Sequence, residues 1–217
     1  MNFLKKKQRE AKVVSDQREP ELYGSSHYHD CTKCSFCDFA FLKGQKKQSW
    51  EFYPNSFNEE SSRLLFLETA PRNFSSGQFE SPALKWIKEL ILDSFSNSFD
   101  ICFGSILPVS YLESAPHKNE ASVCFDNNTK SLIENFNPDL IIVFGRFPTT
   151  ILGSFKSTAE GLHYSIFYSL LESPFLTLSL PHPQQYFYIS DETLSSFRQA
   201  LGSYLLSLIQ FFFPKER

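Results

Sequence analysis

Thiols, an imidazole and a carboxylate are the groups in this sequence whose types and spacing could do chemistry. Cys31, Cys34 and Cys37 form a C-x2-C-x2-C run, and Cys102 and Cys124 follow far along the chain. An odd number of cysteines without a secretory signal argues against a disulfide framework and for metal or cluster ligation. An iron–sulfur cluster needs four converging thiolates, and the run alone supplies three. His27 and His29 stand just before it, so zinc held by His and Cys is the alternative, although the spacing matches no zinc finger. Unligated thiols are the third reading, with Cys102 acting as a small buried hydrophobe. Elsewhere, Glu68 closes an apolar run and His182 follows another, between Pro181 and Pro183. On its own, a histidine before Pro183 reads as a residue fixed in a turn.

These groups need elements to position them. Residues 63–67 (RLLFL) form a short continuous apolar run suited to a buried parallel strand, and Leu84, Ile87, Ile91 and Phe95 recur at helical spacing after it. Residues 101–107 (ICFGSIL) are a second strand candidate, and residues 120–136 are expected to be helical. Residues 139–144 (DLIIVF), ended by Gly145, carry the strongest strand pattern. A helical stretch over 148–155, a last strand over 175–180 and a closing amphipathic helix over 193–212 complete the series. In that closing helix, Leu194, Phe197, Leu201, Tyr204, Leu205 and Leu208 are expected on one side. Residues 44–62 read as a long surface connection. Strands alternating with helices predict a three-layer α/β/α sandwich around a central, mainly parallel four-stranded sheet. Ligands bind such sheets outside the carboxyl ends of the strands, which is where Glu68 and His182 fall.

Composition and charge bound the reading. The 217 residues are 41% hydrophobic, with 24 Phe, so the chain is globular rather than disordered. No apolar stretch approaches the roughly 18 residues a membrane span needs. The first residues carry charge without an apolar segment behind them, so the expected compartment is the cytoplasm. Residues 1–20 hold six basic and three acidic side chains, while the remainder holds 15 basic and 21 acidic. The expected organisation is a basic arm over 1–26 and one domain over 27–217. Basic arms can hold phosphates by counterion release, and are also commonly solvated tails.

Four segments, in order, resemble the uracil-DNA glycosylase superfamily, most closely its family 4, whose members carry a four-iron cluster. The family's opening C-x-x-C matches Cys31 and Cys34, and its basic stretch matches Lys43, Lys46 and Lys47 loosely. Its first motif, hydrophobic-G-E-A-P-G followed by a Gly and an aromatic, is matched by Ala70, Pro71, Gly77 and Phe79. Without a gap the motif's Glu falls on Thr69 and its last Gly on Arg72, and Glu68 lies one position early. Cys124 fits the later member of the family's second cysteine pair, with Pro116 and Glu120 before it, while the earlier member falls on Pro108. The family's specificity Asn falls near Gly104. Residues 137–145 (NPDLIIVFG) resemble the family's next strand, and His182-Pro183 matches its terminal His-Pro-Ser, with Gln184 at the Ser. The resemblance spans 31 to about 205.

It implies a monomeric enzyme that hydrolyses the N-glycosidic bond of uracil or another damaged base in DNA. His182 would stabilise negative charge on the departing base, Phe79 would stack on the flipped base, and Ala70 and Pro71 would line its pocket. Glu68 is the candidate for water activation, although strand alternation would turn a residue displaced by one position to the opposite face. A 4Fe-4S cluster would be held by Cys31, Cys34, Cys124 and either Cys37 or Cys102. The alternative is a catalytically impaired relative acting as a DNA-binding or iron–sulfur protein, since the family's Glu and Asn positions hold Thr69 and Gly104.

Overall fold

The computed structural model describes residues 50–53, 61–69, 82–107, 122–153, 164–182 and 191–214. Their elements, in chain order, are β1 (Glu51–Tyr53), β2 (Ser62–Glu68), α1 (Pro82–Phe95), β3 (Phe99–Ser105), a π-turn (Phe125–Thr129) running into α2 (Lys130–Phe136), β4 (Leu140–Phe144), α3 (Arg146–Gly153), β5 (Ile166–Tyr168), β6 (Leu176–Leu180) and α4 (Asp191–Phe212). They build one six-stranded sheet in the order β1-β3-β2-β4-β6-β5.

The four inner strands are parallel, and both outer ones are antiparallel to their neighbours. The sequence expectation of four strands is therefore corrected to six. The inner four are the ones their composition announces. β2 and β4 read as unbroken apolar runs because both faces of the sheet are covered. Leu64, Phe66, Leu140, Ile142, Phe144, Leu178 and Leu180 point to one face, where Ile87, Ile91 and Phe95 of α1 and Leu201, Leu205 and Ile209 of α4 complete a core. Leu65, Leu67, Ile141 and Val143 point to the other, against Leu132, Ile133 and Phe136 of α2 and Leu152 of α3. Each fully buried Leu, Ile or Phe contributes roughly 1.5–3 kcal/mol relative to exposure. Tyr204, expected on the apolar side of α4, is exposed and packs edge-on against Tyr164.

β1 lies within the stretch expected to be a surface connection. Its aromatic residues are brought into the fold by contacts distant in sequence. Trp50 lies flat over Gly104, where any Cβ would stand 2.5–2.7 Å from the indole. Phe52 meets Phe136 edge-on and Tyr53 meets Phe103 likewise. A half-buried cluster anchors the same edge to α1: Lys88 Nζ pairs with the Glu51 carboxylate, which also accepts from Tyr53 Oη at 2.7 Å.

The helix expected over 120–136 is helical from Ser122, but the π-turn interrupts it, and Thr129 Oγ1 donates to Ile106 O at 2.7 Å. α2 stops at Asn137, in a left-handed conformation with its N–H donating to Ile133 O, before Pro138 and β4. At the amino ends of the strands, Arg63 ties β2 to its neighbours through Phe136 O at 3.0 Å and Asp139 at 2.9 Å to its own N–H. Among the described residues, no helix is long and apolar enough to cross a membrane.

Candidate active site

Strand order reverses direction at β2: β3 lies on one side of it and β4 on the other. In open α/β sheets that switch point leaves a crevice outside the carboxyl ends of the strands. Glu68 is the last residue of β2, Gly145 follows β4, and His182 stands two residues beyond β6. Backbone bonds extend the neighbouring strands into this region: Ile106 N–H donates to Glu68 O and Leu107 N–H to Thr69 O, both at 2.9 Å, and Gly145 N–H donates to Leu180 O at 2.8 Å.

The crevice brings the two sequence-predicted catalytic groups together. His182 Nε2 lies 3.5 Å from Glu68 Oε2, and the two residues are only 6% and 1% exposed. Alternation places Glu68 on the side of Phe66, and the ring of His182 arrives there from β6. The displacement by one position thus turns Glu68 toward His182. The imidazole does not reach Glu68 without help from the strand between them. Gly145 has φ +93, and a Cβ on it would stand 3.3 Å from His182 Cβ. Glycine both permits the turn and leaves room for the histidine. Thr149 then pins the turn, donating to Gly145 O at 2.8 Å or sharing a hydrogen with Ser179 Oγ at 2.7 Å. Gly145, Thr149 and Ser179 were not among the sequence candidates. Their signal is an apolar strand ended by Gly and followed at once by a helix, which marks a tight strand-to-helix turn but not which side chain it accommodates.

Gly104 and Ser105 occupy the end of β3, where the resemblance calls for a base-reading amide. Gly104 is covered by Trp50, and the Ser105 hydroxyl is buried and donates to Leu107 O at 2.7 Å. Neither offers an amide edge to a base.

The two described cysteines differ in setting. Cys102 lies inside β3 in the core with Leu65, Leu67 and Val143. Burial, with a smaller push from the charge of Glu51, raises its thiol far above the usual range. Its apolar neighbours are those the small-hydrophobe reading expects. Cys124 is also buried and stands at the helical residue before the π-turn, an irregularity frequent at functional positions. Among the described residues, no three His, Cys, Asp or Glu side chains are grouped as a metal set would be. Cys31, Cys34, Cys37, His27 and His29 lie outside the described residues, as do Ala70, Pro71, Arg72, Gly77, Phe79, Pro108, Pro183, Gln184, the basic arm and Lys43, Lys46 and Lys47.

Compared with known proteins, the chain matches no protein-family model and no curated protein.

Proposed function

We propose that the protein is a uracil-DNA glycosylase-like enzyme that hydrolyses the N-glycosidic bond of uracil, or of another damaged base, in DNA. The observation that carries this reading is the meeting of Glu68 and His182, 3.5 Å apart, at the switch point of a mainly parallel sheet covered by helices on both faces. The sequence resemblance assigns the same two loops to the chemistry. Breaking the bond leaves an oxocarbenium-like sugar and sends the electron pair to the base, so the site must stabilise a departing anion once the base is flipped out of the stack. His182 is placed to donate to that anion, and a preorganised donor in a buried site is worth far more than in water. The basic arm and the Lys43–Lys47 stretch would hold phosphate, and Phe79, with Ala70 and Pro71, would receive the base.

A 4Fe-4S cluster would be held by Cys31, Cys34, Cys124 and either Cys37 or Cys102. It would serve to fix the cysteine-bearing segments, and the hydrolysis itself uses no electron transfer. Zinc is the alternative occupant. The proposed protein is a monomer acting in the cytoplasm.

A second reading rests on Gly104 and Thr69. With Trp50 over the position of the base-reading amide, selection of uracil is weakened, which favours a relative that keeps DNA contact and has lost most catalysis. Release of free uracil from a single-stranded uracil-containing oligonucleotide separates the two, because that substrate removes the cost of unpairing. Turnover above background supports the enzyme; binding with background turnover supports the impaired relative.

A further inference from the structure

We infer that two copies of the chain pair reversibly, edge to edge, through β5 and the flank of α4 beside it. The inference is independent of the glycosidase reading, and the monomer of that reading is the species present when the protein is dilute. Its starting point is where the apolar surface lies. Val123 apart, the exposed large hydrophobic residues among those described are Tyr164, Ile166, Tyr168 and Leu170, at alternate positions along β5 and just beyond its ends, and Tyr204 and Phe211 of α4.

These six residues form one surface. Ile166 lies opposite Leu178 and Tyr168 opposite Leu176, so both side chains stand on the face of the sheet that α4 covers. On α4, Gly202 faces Leu90 and Trp86 of α1. Helical spacing turns Tyr204 and Phe211 to the opposite flank, and the Tyr204 ring meets Tyr164 of the β5 segment edge-on. α4 therefore stops short of β5 and leaves a shelf of exposed side chains along its own flank. At roughly 200 Å² per large side chain and exposures of 36–76%, the six leave on the order of 700 Å² uncovered, above the largest apolar patch of a typical monomer.

Area, charge and register favour a second copy as the occupant. Covering the shelf in both copies removes up to about 1,400 Å² from water, within the range of specific interfaces. No charged residue occurs from Tyr164 to Leu171, and Ala200, Tyr204, Ser207 and Phe211 on the flank of α4 are uncharged too. Nothing there attracts a polyanion or a charged peptide, and nothing repels a copy of the same net charge. β5 ends the sheet, with no strand beyond it among the described residues. Ser165 O accepts from Ser179 N–H, and Ser169 N–H donates to Phe175 O. The odd-numbered residues thus turn their backbone groups to β6, while Ile166 and Tyr168 direct theirs to the open edge. Edge strands are usually blunted by charge or Pro, and β5 has neither. About a two-fold axis at Phe167, Ile166 falls opposite the partner's Tyr168 and Tyr164 opposite the partner's Leu170. Each Ile166–Tyr168 pair exchanges two N–H···O bonds, and every facing pair sets an aromatic against an aliphatic side chain. The strand is complementary to itself, and a two-fold pair closes without leaving a further edge of this kind.

The test is sedimentation velocity of the full chain over a concentration series. It should show reversible exchange between 25.1 kDa monomers and dimers, with a midpoint in the micromolar range because the paired strand is short. Ile166→Lys and Tyr168→Glu, each acting twice by symmetry, should weaken pairing by roughly 10-fold or more. The double variant sets opposite charges against each other across the axis and should recover most of the loss. Should Ile166→Lys fail to fold, Leu170→Lys, outside the strand and opposite the partner's Tyr164, takes its place. A protein that stays monomeric at the highest concentrations reached, association that runs on beyond two copies, or single variants that pair as well as the native chain overturn the proposal. A double variant that pairs no better than the single ones overturns the register about Phe167.

Discussion

Replacing Gly145 with Ala perturbs the site at the point where the backbone, not a charged group, brings it together. The residue sits at φ +93, a conformation that costs an L-residue about 1–2 kcal/mol. The new methyl would stand 3.3 Å from His182 Cβ, closer than such carbons ordinarily approach, so the histidine must retreat by a few tenths of an ångström. For a chain of this length each kcal/mol corresponds to roughly 2–4 °C in Tm, and the expected fall is about 2–8 °C. Because a 1 Å misplacement of a catalytic group costs about 100-fold, a shift of a few tenths should lower turnover by less than about 10-fold. Scanning calorimetry reads the first quantity, and uracil release from a single-stranded oligonucleotide reads the second. An unchanged Tm would refute the strain argument, and a lowered Tm with unchanged turnover would show that the position of His182 does not matter to the reaction.

Iron and sulfide should co-purify from anaerobic preparations, with Cys31→Ala, Cys34→Ala and Cys124→Ala each losing them and one of Cys37→Ala and Cys102→Ala doing so, which identifies the fourth ligand. A colourless, metal-free and fully folded protein would contradict this. At the β1 edge, burial alone would lower the pKa of Lys88, but its hydrogen bonds to Glu51 and Tyr53 and their charges outweigh that and hold it above 10.5. The charged form is therefore favoured by folding, its contribution is complete below pH 10.5, and it is lost as pH rises through the higher folded-state value. Lys88→Met should cost about 1 kcal/mol in urea denaturation at pH 7 and markedly less near pH 11, whereas an equal cost at both would remove the ion pair from the account. Deleting residues 1–20, which carry six basic side chains, should flatten the dependence of DNA binding on salt, and an unchanged slope would assign the arm elsewhere.

The inner strands were legible in the sequence because a strand buried on both faces must be apolar at nearly every position, as residues 63–67 and 139–144 are. The outer strands were not, for the opposite reason. β5 shows exposed Ile166 and Tyr168 on either side of Phe167, and its three residues carry too little pattern to separate from a loop. β1 is held by partners about fifty or more residues away, Trp50 on Gly104 and Phe52 on Phe136, which no local window contains. The π-turn before α2 ends at Thr129, whose hydroxyl bonds to Ile106 O, a partner outside any local window. Glu68 and His182 were each candidates through the motif they resemble, since a histidine before Pro183 reads on its own as a turn residue. Their meeting could not be read at all, since it depends on strand order and on the space left by Gly145, a residue without a side chain to draw attention to it.

The most direct measurement of the central claim is a double-mutant cycle on uracil release from a single-stranded oligonucleotide, comparing the native protein with His182→Ala, Glu68→Gln and the double variant. If His182 stabilises the leaving base, its removal should cost roughly 100- to 1000-fold. If Glu68 acts through His182, Glu68→Gln should cost less than this and should add nothing once His182 is gone. Turnover that is insensitive to His182→Ala yet abolished by Glu68→Gln, or losses that multiply in the double variant, would contradict the account.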